Sequence, residues 1–152
     1  VLIIGLSAGI LLFNENTGEN TSGAESSEIP SDNGKYAEWL EFSPETVNEY
    51  IGEDRPIFIA FGAKWCMTCR TNENTVIFTD EITAFFEENN VVLIHGDYTN
   101  KNPEIDLWMN NFGRAGVPFY LWYPADSTEA VLLPEIITKK NITDLINISA
   151  NN

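Results

Sequence analysis

Basic residues are scarce in this chain of 152 residues: eight Lys and Arg stand against 23 Asp and Glu, for a net charge of -15. Such a surface repels a phosphate backbone and offers no basic patch, which argues against nucleic acid as a partner. The acidity fits solubility, as in a salty medium, and says little about a substrate. Cysteine is scarcer still. Cys66 and Cys69, the two that exist, are too few for a disulfide scaffold and too few for a four-ligand zinc site. With a single histidine, His95, a Cys/His nucleophilic pair exists only on paper. No internal repeat is visible. At this length, with 43% hydrophobic and 12% aromatic residues, the chain can bury one sizeable core but hardly two.

An apolar run long enough to cross a bilayer is also missing. Val1 to Phe13 is apolar and uncharged, yet a helix of that length rises only about 20 Å against roughly 30 Å of hydrocarbon. It begins at Val with no basic residues ahead of it, so residues 1–13 are expected to be the end of a membrane helix that starts upstream. A signal-peptide remnant is the alternative. Residues 14–35, rich in Asn, Glu, Ser, Thr and Gly, read as a flexible acidic linker. Cytoplasmic flanks of membrane helices favour Lys and Arg, so an acidic flank points the following domain to the extracytoplasmic side. Residues 36–148 are expected to fold as one domain, with 149–152 as a tail.

Within that domain, Trp39 to Phe42 suggests a short strand. Ser43-Pro44-Glu45 supplies an N-cap, an N1 proline and a first-turn acid for a helix to about Gly52. The continuous apolar run Pro56 to Gly62 predicts a strand buried on both faces. Helices follow over Cys66 to about Asn74 and from Thr79 or Asp80 to Glu88, then a second buried strand at Val91 to Ile94. Asn102-Pro103-Glu104 opens a helix ending near Phe112-Gly113. Pro118 to Tyr123 and Ala130 to Leu133 predict a hairpin, and Thr138 to Ile148 a closing amphipathic helix. The order βαβαβαββα implies an α/β fold, a mixed sheet with helices on both faces.

The chemistry-bearing segment is Trp65-Cys66-Met67-Thr68-Cys69. A strand running into Cys66, where a helix starts, sets the first sulfur against free backbone N–H groups and the positive end of the helix dipole. Both favour thiolate. Cys69, one turn later, can close a disulfide with Cys66 but is shielded behind it. Cys66 is thus the expected attacking thiol and Cys69 the resolving one. Trp65 is expected to face a partner.

Together with Gly116-Val117-Pro118 about fifty residues on, the Trp-Cys-x-x-Cys segment resembles the thioredoxin-like fold. Four stretches are more specifically similar to the C-terminal periplasmic domain of the DsbD family of thiol:disulfide interchange proteins: WCMTCRTNE at 65–73, DYTNKNPEI at 97–105, FGRAGVPFYLWYP at 112–124 and VLLPEIIT at 131–138. The resemblance covers about residues 36–148. It implies a disulfide reductase at the bacterial inner membrane, facing the periplasm. Electrons would arrive from a membrane electron-transfer domain and leave for protein disulfides, with the Cys66–Cys69 pair as redox group and no cofactor or metal. The domain would be monomeric. The resemblance also implies that Pro118 is cis and that Val117 offers its backbone to a substrate segment.

Two positions bear on tuning. Six residues before Cys66, where thioredoxins and many DsbD domains place a buried Asp, this chain has Ala60, so that proton relay is absent. Glu73 matches an acid found near the active site in the DsbD family, and helical spacing sets it near Cys69. If partly desolvated, it would hold its proton and disfavour a nearby thiolate. A solvated helix-face Glu is the alternative.

Lys64 and Arg70 flank the motif and read as solvated charges, His95 as a surface or core-edge residue at a strand end, and Trp108 and Trp122 as core. Competing functions are a membrane-tethered reductase of cytochrome c maturation, a non-catalytic binding module, and a copper-handling thiol pair hinted at by Met67.

Overall fold

The computed structural model of the protein describes residues 35–149. The expected membrane segment and nearly all of the linker lie outside them, as do the last residues of the tail. Among the described residues no helix is long and apolar enough to cross a membrane.

The chain begins with β1 (Leu40–Glu41), α1 (Pro44–Tyr50), β2 (Ile57–Gly62) and α2 (Met67–Asn72). A π-helical turn (Glu73–Ile77) runs on from α2, followed by α3 (Asp80–Glu88), β3 (Val92–Asp97) and α4 (Pro103–Asn111). β4 (Phe119–Tyr123), β5 (Val131–Leu132), α5 (Lys139–Thr143) and α6 (Leu145–Ser149) complete it. The five strands form one mixed sheet in the order β1-β3-β2-β4-β5. β1 and β2 run parallel to β3, and β4 runs antiparallel to both β2 and β5. This is the expected α/β architecture of thioredoxin type.

The continuous apolar run of β2 reflects burial on both faces, and every residue of the strand is buried. Alternate side chains feed two cores. Phe58 and Ala60 join Tyr120 and Trp122 of β4, packed by the π-turn, α3, α5 and α6. Ile57, Ile59 and Phe61 join Phe119, Leu121 and Ile94, packed by Phe42, Val47 of α1, and Ile105 and Met109 of α4. Helix starts follow the local signals. Ser43 Oγ accepts from Thr46 N at 3.0 Å ahead of Pro44, and Asn102 Oδ1 accepts from Glu104 N at 3.0 Å ahead of Pro103.

Three expectations need correction. The second buried strand does not stop at Ile94. β3 continues to Asp97, alternating buried and half-buried residues as far as Gly96 and ending on an exposed Asp97, because its end pairs with β2 through Gly62↔Asp97. Gly96 in this extension lies under the Phe61 ring, where a Cβ would meet Cδ1 at 2.3 Å, so only glycine allows the two strands this pairing. The α-helix after the cysteines ends at Asn72, close to the expected Asn74, but the chain does not leave helical structure there and runs on in the π-turn to Ile77. Phe78 N–H donates to Glu73 O at 2.9 Å, a π-type closure that keeps Glu73, Val76 and Ile77 all buried. The closing helix is broken at Asp144, where Asn147 N–H reaches back to Asp144 O. The break leaves both Ile142 and Leu145 in the core.

Candidate active site

β2 delivers the chain to Gly62, and a short loop, Ala63-Lys64-Trp65, carries it to Cys66, the N-cap of α2. The end of β3 and the residues after it hold the loop. Thr99 Oγ1 accepts from Lys64 N, and Thr99 O accepts from Trp65 Nε1, each at 3.0 Å. Trp65 is thereby fixed by its nitrogen while 60% of its surface stays open, and Met67 beyond it is 73% exposed.

Cys66 and Cys69 are joined in a disulfide with Cα atoms 5.3 Å apart. Cys66 Sγ also accepts from Cys69 N at 3.1 Å, the capping contact of a helix N-terminus. The two sulfurs differ in access, with Cys66 6% and Cys69 1% exposed. Val117 packs against the pair together with Ala63, and the Val117–Pro118 peptide is cis. Lys64 and Arg70 are both exposed.

Behind Cys69 the site is polar and buried. Glu73 is 5% exposed. Its Oε1 accepts from Tyr36 Oη at 3.0 Å, and Lys35 Nζ lies 3.9 Å from Oε2. The Tyr36 ring stacks on His95 with centroids 3.6 Å apart and planes 11° apart. His95 stands opposite Ala60 in the β2–β3 register. The position lacking the buried acid therefore has an imidazole beside it, and the carboxylate comes from the π-turn instead. A group of His, Cys, Asp or Glu suited to hold a metal ion does not occur among the described residues.

A family model described as thioredoxin-like matches residues 38–125. The chain belongs to the thioredoxin-like family. The C-terminal domain of DsbD from Neisseria meningitidis resembles it in reduced form with a TM-score of 0.57 at 14% identity, covering 72% of this chain and 99% of that one. The oxidised form gives 0.54 at 17%, covering 69% and 87%. A thioredoxin from Thermus thermophilus gives 0.56 at 12%, covering 74% and 88%. At these identities the likeness is one of fold. No curated protein matches the chain.

Thioredoxin-like proteins use the redox-active disulfide itself, and this member has one between Cys66 and Cys69. It has the makeup of a thiol:disulfide oxidoreductase. The thioredoxin-like frame also exposes what the sequence reading missed. Asn72, 2% exposed, donates from Nδ2 to Tyr120 Oη at 3.0 Å and to Glu135 O at 2.7 Å, tying α2 to β4 and to the loop after β5. Burial pushes the Tyr120 hydroxyl up to about 12, the Asn72 hydrogen bond opposing and the charge of Glu73 adding. Lys35 and Tyr36 sit at the boundary assigned to the linker, and the one available signal was that Tyr36 is the first aromatic after a long polar stretch.

Proposed function

We propose that this domain is a membrane-tethered disulfide reductase of the DsbD type, working on the periplasmic side of a bacterial inner membrane. Electrons reach it from a membrane electron-transfer domain and leave for protein disulfides. The four stretches of DsbD-like sequence support the assignment, as does the acidic linker after an apolar segment.

The observation that carries the chemistry is the asymmetry of the two sulfurs. In the reduced domain Cys66, at the helix N-terminus beside exposed Trp65, is the thiol that a partner can reach. Its thiolate attacks one sulfur of the partner disulfide, and the other leaves as a thiolate. Cys69 then attacks Cys66 Sγ, restoring the internal disulfide and releasing the reduced partner. Val117 and Pro118 offer backbone to the extended partner segment, and Trp65 gives it an aromatic contact. Buried Glu73 governs the ionisation of Cys69 from behind.

The test is trapping. A Cys69→Ser variant should accumulate mixed disulfides with partners because nothing resolves them, and Cys66→Ser should accumulate none. Trapping by Cys66→Ser instead would reverse the order of attack. The redox potential should lie near the thioredoxin value of about -270 mV; one near the oxidant DsbA value of about -120 mV would overturn the reductase assignment. Absence of insulin reduction dependent on both cysteines would leave a binding module.

A further inference from the structure

The chain holds two methionines, Met67 and Met109, and they stand at opposite extremes of exposure. Met109 of α4 is packed in the core and 2% exposed. Met67, between the two cysteines, is 73% exposed, and no large apolar side chain among the described residues is more so. It is the first residue of α2, directly after the N-cap Cys66, and its carbonyl accepts from Thr71 Oγ1 at 3.0 Å. Side chains on a helix lean back toward its N-terminus, so Met67 covers surface on the Cys66 side of α2, the side from which a partner comes. An open thioether there is a target for oxidants that the buried one in α4 is not.

We propose that Met67 is a site of oxidative modification, whose conversion to the sulfoxide by a peroxide turns protein disulfides away from the dithiol and leaves small disulfides free to react. This rests on the reading that partners dock over Cys66 beside Trp65, and it adds a control on that docking. In the disulfide form the two cysteine sulfurs are bonded to each other and offer no thiolate, so Met67 is the open sulfur of the domain. A lone pair of the thioether attacks one oxygen of hydrogen peroxide and the O–O bond breaks. That oxygen stays on sulfur, and the other leaves with both hydrogens as water. The thioether loses two electrons and the peroxide gains two. The Cys66–Cys69 bond is untouched, so the pair can still be reduced afterwards.

The modification acts on the docking face and not on the fold. Sulfoxidation makes a flexible apolar side chain polar, and the new oxygen, hydrated in the free domain, must give up that water or find a donor when a partner chain covers it. A small disulfide meets the Cys66 sulfur and covers little of Met67. Vulnerability depends on redox state, because in the reduced domain the Cys66 thiolate competes for the same oxidant. The domain most exposed to the change is therefore one left in the disulfide form. Such a domain would run the exchange backwards, taking electrons from partner dithiols, and the sulfoxide withdraws it from them.

The full chain in its disulfide form is treated with hydrogen peroxide, the excess is destroyed with catalase, and the added oxygen is located by peptide mass spectrometry. Met67 should be converted at least about tenfold faster than Met109, with no change in the urea midpoint. After reduction with dithiothreitol, a single turnover of the dithiol is followed with insulin and with oxidised glutathione. The treated chain should react about tenfold more slowly with insulin, the scale of one polar group left unmet under a partner, and within about twofold of its former rate with glutathione. Met67→Leu, whatever its own starting rate, should react with insulin equally fast before and after peroxide. Met67→Gln should discriminate against insulin with no peroxide at all. Conversion of Met109 as fast as Met67, or an unchanged insulin rate once Met67 is converted, overturns the switch. So does an equal loss with both substrates, which would place the effect on the dithiol, or a loss in Met67→Leu as large as in the unaltered chain, which would place it on another residue. An untreated chain that reduces neither substrate defeats the reductase reading itself, and the switch falls with it.

Discussion

The disulfide divides two unlike regions. On its outer side Trp65 and Met67 stand open to solvent, Val117 borders the sulfurs, and the loop is pinned through Thr99 by two hydrogen bonds. On its inner side Asn72 and Glu73 are buried, and Tyr36, His95 and Tyr120 surround them with hydrogen bonds and ring contacts. Exposed apolar surface costs the fold little and is available to a partner. Buried polar groups are different: each must be satisfied, and leaving one unmet costs about 1–3 kcal/mol. Substitutions inside should therefore be read in stability and pH dependence, and substitutions outside in reactivity.

The largest effect expected in stability belongs to the inner side at alkaline pH. Burial raises the Tyr120 hydroxyl from 10.0 in the unfolded chain to about 12 in the fold. The stability this represents is fully present below pH 10 and is lost as the pH climbs toward 12. A shift of that size corresponds to about 3 kcal/mol. Tyr98 and Tyr123 are also raised, Tyr98 through its hydrogen bond to Asp106 and Tyr123 by burial, so part of the alkaline slope is theirs. Urea unfolding of the oxidised protein from pH 9 to 11.5 should show Tyr120→Phe with a shallower decline than the unaltered chain. Parallel declines would mean that Tyr120 is not the group losing its burial advantage.

A smaller loss is expected from Asn72→Ala. It would deprive the buried Tyr120 hydroxyl and the Glu135 carbonyl of a shared donor, at a cost of about 2 kcal/mol at neutral pH. Because Asn72 ties the active-site helix to β4 and to the loop after β5, the loss should appear as a lower urea midpoint with an unchanged slope. A changed slope would indicate instead that the helix end has loosened and the compactness of the fold with it.

How much of this comparison can be read before the fold is known depends on how local each signal is. The apolar run of β2, the capped starts at Ser43-Pro44 and Asn102-Pro103, and the spacing of Cys66 and Cys69 all lie within a few residues, and each element stands close to where that pattern puts it. The outer side is built from such segments. The inner side is not. Tyr36 meets Glu73 across 37 residues and Asn72 meets Tyr120 across 48, separations that periodicity does not encode. The π-turn defeats the reading for another reason. Helical spacing brings Glu73 near Cys69, but the widened turn is what keeps Glu73, Val76 and Ile77 buried together, and residue pattern alone does not distinguish it from an ordinary helix end. His95 looked like a strand terminus because the apolar residues stop at Ile94. β3 runs on through a half-buried imidazole because Tyr36, from outside the sheet, covers it.

The smallest stability effect should come from the outer side, and it sharpens the contrast most. Trp65 has most of its ring in solvent and a single hydrogen bond, from Nε1 to Thr99 O. Trp65→Ala removes that bond and little buried area, so the urea midpoint should shift by an amount worth no more than about 0.5–1 kcal/mol. The neighbouring Lys64 N–H still donates to Thr99 Oγ1, which keeps the loop in place. Reactivity should divide by substrate size. Reduction of a small disulfide such as oxidised glutathione uses the Cys66 sulfur alone and should stay within about threefold, whereas reduction of insulin needs a docked chain and should lose about tenfold or more in kcat/KM, as expected when an exposed aromatic anchor is removed. Equal losses with both substrates would show that Trp65 supports the sulfur itself, and would remove this residue from the docking surface.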